Sequence, residues 1–182
     1  MDPSPDQQAA FLELIEQHAG ILHRVRSLYA VDPDDGKDLV QEILMQLWRS
    51  FPSFRAEAAF STWMYRVALN TALLRRRKSR ARALEQADPE ALAAVAAGPD
   101  PANPDVATLY GCIRQLPSLD RAIVLLHLEG QSYEEIAGTT GLSRGNVGVR
   151  LVAPGRLMSG GLGADPQGCR LDSSRRGERS PP

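Results

Sequence analysis

The sequence has few cysteines and no long apolar run. Its two cysteines, Cys112 and Cys169, lie far apart, so it predicts neither a disulfide framework nor a cysteine-type zinc site. Its apolar runs fall well short of the ~20 residues that a membrane-spanning helix needs. The N-terminus has no apolar stretch behind a basic one, which argues against a signal peptide. We therefore expect a cytoplasmic protein without membrane insertion.

Patterns typical of catalysis or of metal binding are also missing. The histidines, His18, His23 and His127, fall within helical patterns and lack the spacing of metal ligands. No nucleophile paired with a base, and no glycine-rich phosphate loop, is present. The sequence thus predicts a protein that is not an enzyme and has no cofactor and no metal site.

Overall net charge is almost absent, at −1, but the charges are unevenly distributed. Residues 75–82 hold six cations and no acid, and residues 143–182 are net positive. Six cations in eight residues exceed what a helix C-terminus needs to offset its dipole, which favours an anionic partner over a merely solvated run. Aromatic residues that precede the run at helical spacing, including Tyr65, suit contact with unpaired bases.

Helical periodicity dominates the first 82 residues. One helix is predicted from Ser4 to just before Asp32, a second from Asp32 to about Phe51, and a third from Phe60 through Arg82. The second helix has a broad apolar arc and an opposite polar side with a methionine in its middle. That polar side can be either solvated or bound to a partner. It consists of Asp38, Gln41, Glu42 and Met45.

A second group of helices follows an Ala- and Pro-rich segment, residues 83–105, that is typical of a flexible linker. Ser132 and Glu135 form a predicted capping box, and Ala137, Gly141 and Val147 have the spacing of a helix-turn-helix. Such a motif can be a core device or a DNA reader. Its outward side would carry the residues that suit phosphates and base edges: Ser143, Arg144, Asn146 and Arg150.

The last helix is predicted to end near Val152, because Pro154 disfavours continuation. Residues 153–182 are rich in Gly, Pro and Ser without an apolar period, so they are predicted to be disordered. Two origins of this tail stay open, a natural extension and a change of reading frame near codon 152. A helix this short would weaken DNA binding by the helix-turn-helix.

The chain resembles the sigma-70 family of bacterial transcription initiation factors, specifically its small extracytoplasmic-function (ECF) group. Four segments in order carry the resemblance: Asp38-Leu39-Val40-Gln41-Glu42 with Leu47-Trp48, Phe60 to Ala68 with Asn70, Leu116 to Leu126, and Ser132 to Leu151. The resemblance implies an all-α fold of two small helical domains, the second containing the helix-turn-helix. The domains would be 1–82 (region 2-like), 83–105 (linker), 106–152 (region 4-like) and 153–182 (tail).

The resemblance also implies partners and site residues. Core RNA polymerase would bind the polar face of the second helix, at Asp38, Gln41, Glu42 and Met45. The helix-turn-helix, with Ser143, Arg144, Asn146 and Arg150, would read the minus-thirty-five element of promoter DNA. An anti-sigma factor is common in the family. The minus-ten element would be opened by a larger set of residues: Arg55, Phe60, Trp63, Arg66, Asn70, Arg75, Arg76, Arg77 and Lys78.

A different class of protein remains the alternative. A conventional helix-turn-helix regulator would use residues 118–151 to bind a duplex operator by itself, with residues 1–82 for dimerisation or sensing. A sigma factor would bind weakly alone and open promoters only with core polymerase.

Overall fold

The computed structural model describes residues 5–55, 59–85 and 104–161, and these residues form helices without any strand. The predicted all-α fold is therefore confirmed. The predicted linker falls largely on residues 86–103, which lie outside the described residues, as do residues 162–182. The helices are α1 Pro5–Gln17, α2 Ala19–Tyr29, α3 Pro33–Ser50, a short 3-10 helix Phe51–Ser53, α4 Phe60–Glu85, α5 Pro104–Gln115, α6 Ser118–Leu128, α7 Tyr133–Thr140 and α8 Arg144–Gly161.

The first predicted helix is in fact two helices, which corrects the expectation of one continuous element. The break lies at His18, whose φ of −115° and ψ of 17° leave the helical region. The His18 imidazole is within hydrogen-bonding distance of the Leu14 carbonyl, and its ring packs 5.2 Å from that of Phe60. An apolar stripe at helical spacing does not reveal such a break, because the stripe continues almost in phase across it.

The boundaries of α3 and α4 follow local signals in the sequence. Asp32 caps α3 by accepting hydrogen bonds from the backbone N–H groups of Asp34 and Asp35, at 2.9 and 2.8 Å. Helix α4 begins at Phe60 as predicted and reaches Glu85, three residues past the predicted boundary. Helices α2, α3 and α4 pack together in the first half of the chain.

The second half contains the predicted helix-turn-helix, formed by α7 and α8. The capping box at Ser132 and Glu135 is present, and Gly141 adopts the left-handed conformation, with φ 73°. Val147 is fully buried, so it anchors α8 against the rest of the motif. Helices α6, α7 and α8 pack against one another.

Helix α8 continues to Gly161, which corrects the prediction that it ends near Val152. A proline inside a helix removes one N–H donor and crowds a preceding carbonyl, at about 3 kcal/mol. Its fixed φ is nevertheless helical, so the helix can continue through Pro154. For residues 153–161, the expectation of disorder is thus replaced by a helical backbone.

The two halves share one hydrophobic core. Arg121 of α6 is buried and donates hydrogen bonds to the backbone carbonyls of Leu28 and Leu116, at 2.9 and 2.8 Å. The Tyr29 hydroxyl donates to the Ser118 carbonyl at 2.7 Å. The bonds that involve Leu28 and Tyr29 join α2 to the second half of the chain.

Tyr65 does not face solvent, contrary to the sequence-based expectation of an outward aromatic. Its side chain is buried, and its hydroxyl accepts a hydrogen bond from Arg24 Nε at 3.0 Å. Arg24 also forms a salt bridge at 2.9 Å with Glu129, which directly follows α6 in the second half of the chain. Helix α4 thus packs against α6 and α7 as well as against α2 and α3.

Substitution of Gly148 by alanine is expected to stabilise the protein. A Cβ at this position would lie 3.6 Å from Tyr133 Cε2, an ordinary van der Waals contact. Removing a helix-interior glycine is worth about 1 kcal/mol, or roughly 2–4 °C in melting temperature for a chain of this size.

The matched control is Gly141→Ala, because the positive φ of Gly141 disfavours any Cβ. Thermal unfolding followed by circular dichroism should show opposite shifts for the two variants. A lower melting temperature for Gly148→Ala would contradict the packing described for α8.

None of the helices in the described ranges is both long and apolar enough to cross a membrane.

Candidate nucleic-acid and protein interfaces

The polar side of α3 is accessible, as its sequence pattern predicts. Asp38, Gln41 and Met45 are exposed, and Met45 retains 48% of its accessible surface. The opposite side of the helix, with Leu39, Ile43 and Leu47, is fully buried. An accessible apolar side chain among polar neighbours on a fixed helix is a suitable contact surface for another protein.

Glu42 differs from the other members of this face because it is half-buried and accepts a hydrogen bond from Arg75. Arg75 of α4 reaches Glu42 at 3.2 Å, Asp35 at 2.7 Å and Asp38 at 3.8 Å. Partial burial works to lower the pKa of Arg75, but its hydrogen bonds to Asp35 and Glu42 outweigh this and raise the pKa. The cluster therefore ties α3 to α4.

This acidic cluster around Arg75 joins two sets of residues that the sequence assigned to different partners. Asp38 and Glu42 were predicted for polymerase, and Arg75 for DNA. Sequence reasoning missed the link because the residues lie more than 30 positions apart. Asp35 was not predicted as a site residue, although its place in the first turn of α3 is a signal for a dipole-stabilised acid.

The basic end of α4 presents most of its cations to solvent. Arg77 and Lys78 are exposed, whereas Arg76 is half-buried. Arg66 and Asn70, further back on the same helix, are also exposed, as is Arg55 in the preceding loop. A groove of about 480 Å³ lies beside this end of α4. Its walls are formed by Asp35, Glu42, Arg75, Lys78, Ser79, Arg82 and Ala83.

The aromatic residues at the start of α4 belong to a cluster. Phe60 is buried, with its ring centroid 5.3 Å from that of Trp63 and 5.5 Å from that of Phe54. Trp63 is only half-buried and also lies 5.1 Å from Phe54. Trp63 is thus the more accessible of the two aromatic residues predicted for the minus-ten element, while Phe60 packs inward.

The predicted residues of the helix-turn-helix lie on the accessible surface of α8 and its N-cap. Ser143, Arg144, Asn146 and Arg150 are all exposed. The Ser143 hydroxyl accepts a hydrogen bond from the Asn146 backbone N–H at 3.3 Å, which caps the helix. This surface has the composition expected of a helix that contacts phosphates and base edges.

Both arginines of this surface are paired with acids. Arg144 Nε lies 2.9 Å from Glu134 of α7, and Arg150 NH1 lies 2.6 Å from Asp120 of α6. Sequence reasoning did not identify either acid, because both pairs connect different helices.

Across the described ranges, no group of three or more acids, histidines or cysteines could hold a metal ion.

Two family models match the chain in order. The model for sigma-70 region 2 matches residues 14–82, and the model for sigma-70 region 4 matches residues 107–152. The first covers α2, α3 and nearly all of α4, and the second covers α6, α7 and the first half of α8.

Individual proteins that are similar to this chain are also named as ECF sigma factors. The ECF RNA polymerase sigma-E factor of Escherichia coli is 32% identical over 159 residues, 79% of this chain and 82% of that protein. The ECF RNA polymerase sigma factor SigE of Mycolicibacterium smegmatis is 34% identical over 162 residues, 82% of this chain and 61% of that protein.

Solved structures support the fold. The sigma factor RpoE of Bartonella quintana, in complex with the anti-sigma factor NepR, has a TM-score of 0.66 at 22% identity, over 89% of this chain and 99% of that one. CnrH in complex with the cytosolic domain of CnrY has a TM-score of 0.58 at 25% identity, over 87% and 90%. Given these similarities, and with both regions present in order, the chain belongs to the ECF group of the sigma-70 family.

Proposed function

We propose that this chain binds core RNA polymerase and directs it to specific promoters, where it helps to open the minus-ten region. The observation that carries the proposal is that each matched region presents an exposed surface of the required chemistry. Region 2 has the polar side of α3 and the basic end of α4, and region 4 has the outward side of α8. The relatives are named RNA polymerase sigma factors, which supports the same role here.

The α3 face is the proposed polymerase contact, centred on Gln41 and Met45. Asp38 lies beside them and is exposed. Glu42 contributes mainly by holding Arg75, since that pair is half-buried. The acidic cluster thus keeps the contact helix aligned with α4.

The minus-ten contact is proposed for the exposed cations of α4, with Trp63 as the stacking residue for an unpaired base. These cations are Arg66, Arg77 and Lys78, and they would follow the DNA backbone together with the exposed Asn70, the half-buried Arg76 and Arg55 on the preceding loop. Phe60 and Arg75 have supporting roles in this proposal, because one is buried and the other is held by three acids.

The minus-thirty-five contact is proposed for Ser143, Arg144, Asn146 and Arg150. Serine and the helix N-terminus suit phosphates, while Asn and Arg suit adenine and guanine edges. The domain limits proposed for these functions are residues 1–82 and 106–152, joined by residues 83–105. This sigma role involves no catalysis by the chain itself.

A protein inhibitor is a further proposed partner. The related RpoE structure contains an anti-sigma factor, and the CnrH structure contains the cytosolic domain of CnrY. By the same reasoning, we propose that an anti-sigma factor binds this chain. The alternative of a regulator that acts without polymerase is not favoured, because both sigma regions are matched.

Neutralising two exposed cations tests the minus-ten assignment. We expect Arg77→Gln with Lys78→Gln to reduce promoter opening by the holoenzyme. If both side chains contact phosphates of a single strand, the salt slope of binding should fall by roughly 1.4, at about 0.7 per contact. The measurement is binding of a labelled promoter fragment by the holoenzyme across a salt series.

Lys37→Gln provides the control, because Lys37 is exposed, pairs with Asp34 and is not one of the proposed DNA or polymerase contacts. It should leave the slope unchanged. Equal slopes for the parent and the double variant would show that these two cations are only solvated.

A further inference from the structure

Arg150 is held by a carboxylate from another helix. Its NH1 atom lies 2.6 Å from Asp120 Oδ1, a pair that connects α8 with the first turn of α6. The Asp120 side chain is only 17% exposed, whereas the Arg150 side chain is 42% exposed. The acid is therefore largely enclosed by protein, and the arginine extends from it toward solvent.

The pair formed by Arg144 and Glu134 is a natural comparison. Its two side chains are 71% and 63% exposed, at 2.9 Å. Exposed pairs of this kind are screened by water and salt and contribute little to geometry or stability. Of the two acids beside the outward side of α8, Asp120 is thus the one that can fix the position of an arginine.

The geometry of a guanidinium explains what Asp120 can do. The group carries five N–H donors in a rigid planar fork, and the contact with Asp120 uses one nitrogen, NH1. This contact restricts the position of the group and does not use the edge formed by Nε and NH2. A side chain that is already oriented loses less conformational freedom on binding, so its contact with a ligand is stronger and more selective.

We propose that Asp120 is a positioning residue that holds Arg150 for contact with a guanine edge in duplex promoter DNA. The inference rests on the proposed function of α8 as the minus-thirty-five reader. Arg150 makes the contact, and Asp120 acts only through Arg150. Guanine is the base whose two major-groove acceptors match an arginine fork.

The experiment uses the full chain assembled with core RNA polymerase. The parent holoenzyme first selects its upstream site from a duplex pool randomised in that region. Affinity for the selected site, and for copies changed at each guanine, is then measured for Asp120→Ala, Arg150→Ala, the double variant and the control Glu134→Ala.

We expect Asp120→Ala and Arg150→Ala each to weaken binding by about tenfold, the scale of one good base contact. Both should lose preference at the same guanine, and the double variant should be no weaker than Arg150→Ala. Asp120→Asn, which keeps an oxygen acceptor, should restore part of the preference. Glu134→Ala should stay within about threefold of the parent.

Three results would overturn the proposal. One is a further loss when Asp120→Ala is added to Arg150→Ala, because Asp120 would then act on stability or on another contact. Another is tighter binding by Asp120→Ala, which would mean that the acid withholds Arg150 from DNA. The third is a failure of the parent holoenzyme to select any upstream duplex, which would remove the proposed function of α8 as well.

Discussion

The double variant Gln41→Arg with Met45→Glu is expected to lose at least about 30-fold in affinity for core RNA polymerase. A central contact residue of a protein interface is worth about 2 kcal/mol or more, which corresponds to that factor. Both side chains are exposed and point away from the core side of α3, so folding should be unaffected. Titration of labelled chain with core polymerase measures the loss, and circular dichroism verifies the helix content.

Leu128→Glu is the matched control, because Leu128 is 52% exposed on α6, a surface outside the proposed contact. It matches the Met45→Glu half of the double variant, because it places the same carboxylate at a similarly exposed apolar position. Reversing the charge of Glu42 would be less informative, since it would place two cations together at Arg75. Parent-like affinity of the double variant would contradict the assignment of this face.

Arg121→Ala is expected to lower the free energy of unfolding by about 3 kcal/mol. The change leaves the carbonyls of Leu28 and Leu116 without the donors that now satisfy them, and it opens a cavity in the shared core. Burial also lowers the pKa of Arg121, which reflects how far its charge is removed from water. Guanidinium-induced unfolding provides the measurement.

Tyr29→Phe separates this effect from the loss of a single bond. It removes only the hydroxyl that donates to the Ser118 carbonyl, so a loss of about 1 kcal/mol is expected. If Arg121→Ala cost no more than Tyr29→Phe, the two halves would not depend on Arg121 for their packing.

Local signals in the sequence were sufficient for much of the fold. The Asp32 cap, the capping box at Ser132 and the turn at Gly141 depend on residues within a few positions of one another. Each is decided by backbone hydrogen bonding or by a permitted φ, which residue type constrains directly. The exposure of Met45 and Asn146 likewise follows from helical phase.

Contacts between distant helices could not be predicted in the same way. The acidic cluster around Arg75, the burial of Tyr65 and the pairing of Arg150 with Asp120 all depend on which helices pack together. A single helix pattern shows that a second face is apolar but not what covers it. The continuation of α8 past Pro154 was likewise missed, because a proline disfavours a helix interior without forbidding it.

The most direct test is to ask whether promoter opening requires both this chain and core polymerase. Permanganate reactivity of thymines around the minus-ten element should appear only when the two are combined on a promoter duplex, and each alone should leave the duplex closed. Tight, sequence-specific binding of the duplex by the chain alone, with no reactive thymines after core polymerase is added, would contradict the sigma-factor account and favour a conventional regulator.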